Sequence, residues 1–314
     1  MLTWFPSPYP DELFYSVLCR YYVSSGVKEH FLVKKQLFGT KVGVKMATLY
    51  PNAAVHAALS QLPEGVFDGR NVILHHTPFA YYTRMYSATE REALLNDLLQ
   101  GRGKTPTHLW RTFPKEDYAL RYCPLCIQED TQIYGEPYYH VEHQIPLSSV
   151  CVRHRCRLKQ IAITNPRVSM NNCFFPLSTM EIDRETDMDV TPAELRVSEL
   201  VREYWRLPAS VSPPACNNLY QTLLNEGYRE IVRQAGVIVD KAKLYTALCD
   251  YHGAETVAKR FGTSITTSMM NRIKTWEQLL PDRYILIQAM LDLPTKAVFD
   301  PEPIRDNLRE KIGR

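Results

Sequence analysis

The chain of 314 residues is 45% hydrophobic and 23% charged, and 37 Lys and Arg against 34 Asp and Glu leave a formal net charge of +3. Those proportions exclude a disordered chain and describe a folded protein of one large or two to three modest domains. No apolar run reaches the roughly 18–20 residues of a bilayer-spanning helix. The start, Met1-Leu2-Thr3-Trp4-Phe5-Pro6, lacks the basic flank and apolar core of a signal peptide, so the expected location is cytoplasmic. A charge this small does not announce nucleic-acid binding, which has to rest on local clustering.

In chain order, Leu13, Val17, Leu18 and Tyr21 recur at helical spacing ahead of Gly26 and predict a first amphipathic helix. Ser87-Ala88-Thr89-Glu90 has the form of a capping box, followed by Leu94, Leu95, Leu98 and Leu99 and then Gly101. Between residues 102 and 167 prolines 106, 114, 124, 137, 146 and 166 interrupt every periodic stretch, which predicts a small metal-stapled module instead of long helices. Thr191-Pro192-Ala193-Glu194 repeats the capping device, with Val197, Leu200, Val201 and Tyr204 as the buried stripe. Pro208, Pro213 and Pro214 mark a linker at 206–218, and helical signals resume at 219–234, 240–252, 254–262 and 268–292. The expected fold class is mainly α: a helical part at 1–101, a zinc-ribbon-like module at 102–167, a connecting helical segment at 168–207 and a helix-turn-helix-like domain at 219–314.

Eight cysteines in a long cytosolic chain read as metal ligands or buried thiols before disulfides. Cys123, Cys126, Cys151 and His154 form the pattern C-x2-C-x24-C-x2-H, two short chelating knuckles that complete one tetrahedral Cys3His zinc site. Four protein ligands leave no open position for water or substrate, so the expected Zn2+ is structural. Cys156 and the pair His140 and His143 are the alternative ligands in reach, and neither fits better. There is no H-E-x-x-H and no deaminase-type H-x-E with P-C-x-x-C.

Two blocks resemble one family. Phe5-Pro6-Ser7-Pro8-Tyr9-Pro10-Asp11-Glu12-Leu13-Phe14-Tyr15-Ser16 with Arg20, and then Leu120 to Asp130, Tyr134 to His140, His143 to Pro146 and Cys151 to His154, are similar to the opening signature and zinc block of the TniQ/TnsD transposition target-selection proteins. The resemblance covers about residues 1–160. It implies a non-enzymatic adaptor whose amino-terminal part and zinc module bind the AAA+ regulator TnsC. Carboxy-terminal helix-turn-helix segments would engage DNA or a CRISPR Cascade complex with its crRNA and Cas proteins. Trp4, Phe5, Pro8 and Tyr9, aromatic and proline-rich beside a helix start, are the candidate TnsC anchors. The length of the chain favours the Cascade-associated TniQ branch over a TnsD-type attachment-site binder, and a zinc-dependent nuclease or hydrolase is the rival from another class.

The remaining candidates are cationic. Lys259 and Arg260, and Arg272 and Lys274, sit on two short helices joined at Gly262, either a groove reader or a scaffold pair. Ala258 is the expected close-contact position, and the usual apolar positions of the second helix fall at Ser268 and Asn271 unless the turn is longer. Arg153, Arg155, Arg157 and Lys159, with Arg102, Lys104, Arg111, Lys115 and Arg121 leading into the module, form a basic rim: a phosphate track or Cascade contact, or simply a solvated face.

Overall fold

The computed structural model describes residues 2, 4–39, 44–49, 52–102, 119–161, 169–211, 218–233, 236–275 and 281–299. The chain folds as two compact units, one of Met1–Tyr82 with Thr89–Thr191 and one of Thr83–Ala88 with Pro192–Arg314. The fold is mainly helical, as the sequence predicts.

The first unit begins with α1 (Phe14–Ser25), α2 (His30–Phe38), α3 (Ala54–Leu59), α4 (Gly69–His75), α5 (Phe79–Tyr82) and α6 (Ala88–Leu99). The first half of helix α1 is core: Phe14, Tyr15, Val17 and Leu18 are fully buried. Two of the amides that a helix start leaves without intrahelical acceptors find partners elsewhere: Phe14 N donates to His76 O at 2.7 Å and Tyr15 N to Thr48 Oγ1 at 2.9 Å. Gly26, at φ 67°, closes the helix in the left-handed region that a glycine enters without strain.

Among the described residues, four two-residue strands and two further helices follow in this unit. Strand β1 (Arg121–Tyr122) pairs antiparallel with β4 (Lys159–Gln160), and β2 (Val150–Cys151) with β3 (Cys156–Arg157), around α7 (Pro124–Tyr134) and α8 (Val141–Gln144). Residues 119–161 do not stand apart as their own unit. Leu13 N donates to Tyr139 O at 2.7 Å and Val141 N to Asp11 O at 2.8 Å, an antiparallel bridge across Glu12 and His140. A stretch this small buries too little apolar surface alone and borrows the core around α1.

The second unit holds α9 (Pro192–Arg206), α10 (Asn218–Asn225), a hairpin of β5 (Glu230–Val232) and β6 (Gly236–Ile238), α11 (Lys241–His252), α12 (Ala254–Phe261), α13 (Thr267–Thr275), α14 (Asp282–Met290) and α15 (Thr295–Phe299). The stripe of Val197, Leu200, Val201 and Tyr204 is buried as predicted. The proposed connecting segment 168–207 is divided between the units at Thr191. The start of the proposed linker is anchored, because the fully buried Arg84 donates to Tyr204 O, Leu207 O and Pro208 O at 2.8, 2.7 and 3.1 Å and caps the end of α9. Residues 212–217 of that linker lie outside the described residues. The helix expected over 219–234 ends at Asn225: Gly227 adopts φ 84°, and Ile231 and Val232, both β-branched, go into the hairpin. The signal over 268–292 resolves into two helices, α13 and α14.

Candidate metal centre and cationic surfaces

Cys123 caps the start of α7, where its sulfur accepts from the amide of Cys126 at 3.4 Å and Pro124 occupies the first turn without losing a needed donor. The second knuckle is the turn between β2 and β3: Cys151 and Cys156 are cross-strand partners, Arg155 N donates to Cys151 O at 2.7 Å, and Arg155 takes φ 52°. His154 projects from that turn, and the four candidate ligand atoms of Cys123, Cys126, Cys151 and His154 lie within 4.8 Å of one another.

Edge lengths test whether an ion fits. A four-coordinate ion about 2.3 Å from sulfur and about 2.0 Å from nitrogen requires edges of about 3.8 Å between sulfurs and about 3.5 Å from sulfur to nitrogen. Here the sulfurs of Cys126 and Cys151 are 3.7 Å apart, and His154 Nδ1 lies 3.4, 3.4 and 3.6 Å from the sulfurs of Cys123, Cys126 and Cys151. The cluster can therefore hold a tetrahedral metal ion with every position taken by protein.

Sequence reasoning missed the group behind the histidine. Glu129 Oε1 meets His154 Nε2 at 2.9 Å, and Arg153 Nη1 donates to Glu129 Oε2 at 2.9 Å. Hydrogen bonds from His154 and Arg153 hold the Glu129 carboxyl below its ordinary range, so it is a carboxylate that fixes the ring with Nδ1 toward the sulfurs. The signal was available: Glu129 follows Cys126 by three residues, one turn along α7. Of the alternative ligands, His140 is engaged with Asp130 Oδ2 at 3.0 Å, and Cys156 places its buried sulfur 3.4 Å from that of Cys123 without joining the four-atom group.

The amino-terminal block packs onto the same region. Tyr9 stacks on Tyr134 with centroids 4.4 Å apart and carries the Arg20 guanidinium 3.7 Å over its ring. Arg20 in turn bridges Glu12 at 2.9 Å and Glu136 at 2.7 Å. Glu12 is fully buried, and burial drives its carboxyl from 4.5 up to about 7 against the opposing attraction of Arg20. Phe5 is buried against Phe14, Tyr21 and Phe67. Two of the four proposed anchors, Phe5 and Tyr9, thus hold this unit together. Pro8 is half-buried, and Trp4 leans on Tyr21 while 52% exposed.

Of the six rim residues among those described, four form ion pairs. Arg153 pairs with Glu129, Arg157 with Asp187 at 3.5 Å, Lys159 with Asp183 at 2.6 Å and Arg102 with Asp97 at 3.5 Å. Arg121 is buried and donates to Pro146 O and Ser148 O. Arg155 is exposed with no ion-pair partner among the described residues, and Lys104, Arg111 and Lys115 lie outside them.

Helices α12 and α13 are joined by residues 262–266, a turn long enough to shift the apolar register. Val257, Phe261, Ile265, Met270 and Ile273 are buried, whereas Ser268 and Asn271 face solvent, and so does Ala258, which is not the close-contact position expected. Arg260 is turned inward, with Nε 2.7 Å from Asp282 and both side chains only 9% exposed. Lys259 is exposed beside Glu255 at 3.0 Å, and Arg272 and Lys274 stand on the outer face of α13.

These features define a helical protein with a tetrahedral Cys3His site keyed into its amino-terminal unit. The TniQ family model matches residues 3–158, and through that segment the chain belongs to the TniQ family. It is similar to the transposon Tn7 transposition protein TnsD of Escherichia coli, 26% identical over 155 residues that make up 48% of this chain and 30% of that protein. The chain thus matches under a third of the length of that relative. No helix among the described residues is long and apolar enough to cross a membrane.

Proposed function

We propose that this chain is a non-enzymatic target-selection adaptor in DNA transposition, recruiting the AAA+ regulator TnsC to a target marked by a CRISPR Cascade complex. The observation that supports it is the joining of the amino-terminal signature to the metal site in one unit: Tyr9, Glu12 and Arg20 meet Tyr134 and Glu136 at the end of the helix that carries Cys126. In this reading the ion is Zn2+, three thiolates and an imidazole suiting it best. It holds the knuckles rigid and takes no part in chemistry, since its shell is closed. Trp4, half in solvent, and the half-buried Pro8 are the residues offered to TnsC. The test is co-purification with TnsC and with Cascade loaded with crRNA. Association with both supports the adaptor, and association with neither overturns it.

A second reading, an attachment-site reader of the TnsD type, draws on α13. Its apolar face is anchored through Met270 and Ile273, which leaves Ser268, Asn271, Arg272 and Lys274 outward. Such a face can enter a major groove, with Asn271 able to pair bidentately with adenine. Selection from a random duplex pool separates the two: one strong consensus favours the attachment-site reader, and sequence-independent binding favours the adaptor.

A further inference from the structure

The β5–β6 hairpin carries a surface that neither folding nor the metal site explains. Ile231 is 86% exposed at the middle of β5, opposite Val237. Arg229 and Arg233 flank this three-residue strand, Arg229 directly before it and Arg233 in the turn that follows it. Both arginines are exposed, and neither has an ion-pair partner among the described residues. Glu230 falls on the opposite face with Ile238. The exposed Ile231 is thus flanked along the chain by two exposed cations.

The ribbon is held at its base to the start of α11. Asp240 N donates to Tyr228 O at 3.3 Å, and Lys243 Nζ to Gly227 O at 2.9 Å. From the same turn of α11, Lys241 Nζ reaches Thr267 Oγ1, at the first residue of α13, at 3.3 Å. A single helical turn therefore touches both the ribbon base and the start of the helix whose outer face carries Arg272 and Lys274.

We propose that the β5–β6 ribbon is a duplex-binding wing: Arg229 and Arg233 contact phosphates on the two walls of a minor groove, and Ile231 wedges against the bases between them. Four residues apart, the two arginine α-carbons are separated by at most about 13 Å, and their long side chains allow them to straddle a groove about 6 Å wide. An apolar side chain flanked by cations is the equipment with which proteins enter the minor groove and kink the duplex. The chemistry selects a polyanion on this face because its acidic neighbour, Glu230, points away. The proposal stands on the ribbon's own residues and is independent of the reading of α13 as a duplex-facing helix.

The test uses the whole chain and a fluorescently end-labelled 30-base-pair DNA duplex of arbitrary sequence, with affinity measured by anisotropy across a salt series. Arg229→Ala with Arg233→Ala should flatten the slope of log K against log salt by about 1.8, since each phosphate contact contributes about 0.9. Ile231→Ser should leave that slope unchanged and reduce the duplex bend read by end-to-end energy transfer. All three positions are exposed, so the variants should keep the wild-type melting temperature. An unchanged slope in the ribbon variant, with a flattened one in Arg272→Ala/Lys274→Ala, overturns the wing and leaves the α13 reading standing; the face would then suit an acidic protein surface instead. A flattened slope in the ribbon variant alone supports the wing and overturns the α13 reading. Failure of the wild-type chain to bind duplex at low salt overturns both.

Discussion

Glu129 Oε1 lies 2.9 Å from His154 Nε2, so the one nitrogen ligand of the metal cluster is oriented by a carboxylate carried on the same helix as Cys126. Removing that support without disturbing the four ligands isolates its contribution. Glu129→Gln should keep the fold and weaken metal affinity about 10- to 100-fold, measured by competition with a chromophoric chelator. Wild-type affinity in the variant would show that the ring is held by packing alone.

Loss of a ligand should be far more severe. In a knuckle this small much of the folding free energy is metal-binding free energy, so Cys126→Ser should give metal-free, protease-sensitive protein, and a strong chelator should lower the melting temperature of the wild type. One zinc per chain by elemental analysis is the expected content. A metal-free preparation with an unchanged melting curve would contradict this.

Glu12 makes the first unit sensitive to pH in a direction unusual for a carboxylate. Its folded-state value is raised, from 4.5 to about 7, so the folded chain holds this proton more tightly than the unfolded one. The contribution of Glu12 is therefore most favourable below pH 4.5 and is lost as pH climbs to about 7, by at most about 1.4 kcal/mol per pH unit. Glu12→Gln removes the titration, so the stability of wild type relative to the variant should fall between pH 4.5 and 7. A difference that is flat across that window, or that rises, would show that Arg20 keeps the carboxyl ionised throughout.

Trp4 and Phe5 are adjacent and should behave oppositely. Phe5→Ala deletes a buried ring and should cost about 3–5 kcal/mol of stability, with loss of TnsC association only through unfolding. Trp4→Ala should leave the melting temperature nearly unchanged and weaken TnsC binding if this ring is an interface anchor. Full TnsC affinity in the folded Trp4 variant would move the interface elsewhere.

Lys259 and Arg260 also part company. Arg260→Ala strands Asp282 in a site that is only 9% exposed, and breaking a buried pair from one side costs about 3 kcal/mol or more. Lys259→Ala should change stability by less than about 0.5 kcal/mol, as expected for an exposed pair one helical turn apart. Chemical denaturation of the two variants checks this; equal losses would mean that Lys259 is structural too.

The Cys3His cluster was legible because chelation by a tight turn imposes a spacing of a few residues, which survives in one dimension. Helix α1 and the stripe of α9 were legible for the same reason: local periodicity. Tyr9 on Tyr134 and Arg20 on Glu136 were not, since pairs more than a hundred residues apart leave no spacing to read. Aromatic rings and prolines at 4–9 look alike whether they anchor a partner or a core; Phe5 is buried in the core, and Tyr9 is half-buried against Tyr134. Arg260 looked like a surface cation because its neutralising partner, Asp282, comes from α14, two helices further on. The β5–β6 hairpin escaped notice because three-residue strands are too short to display alternation against flanking helical pattern.

Arg84 gives the chain an order of assembly. It leaves the ribosome 120 residues ahead of Tyr204, the first of the carbonyls it caps, so at about 5–20 residues per second its guanidinium waits on the order of ten seconds for its acceptors. A fragment ending at Thr191 would keep this arginine and never supply them. An amino-terminal piece prepared for study should therefore carry a neutral residue at position 84, and a nascent chain has reason to shield this stretch until the second unit emerges.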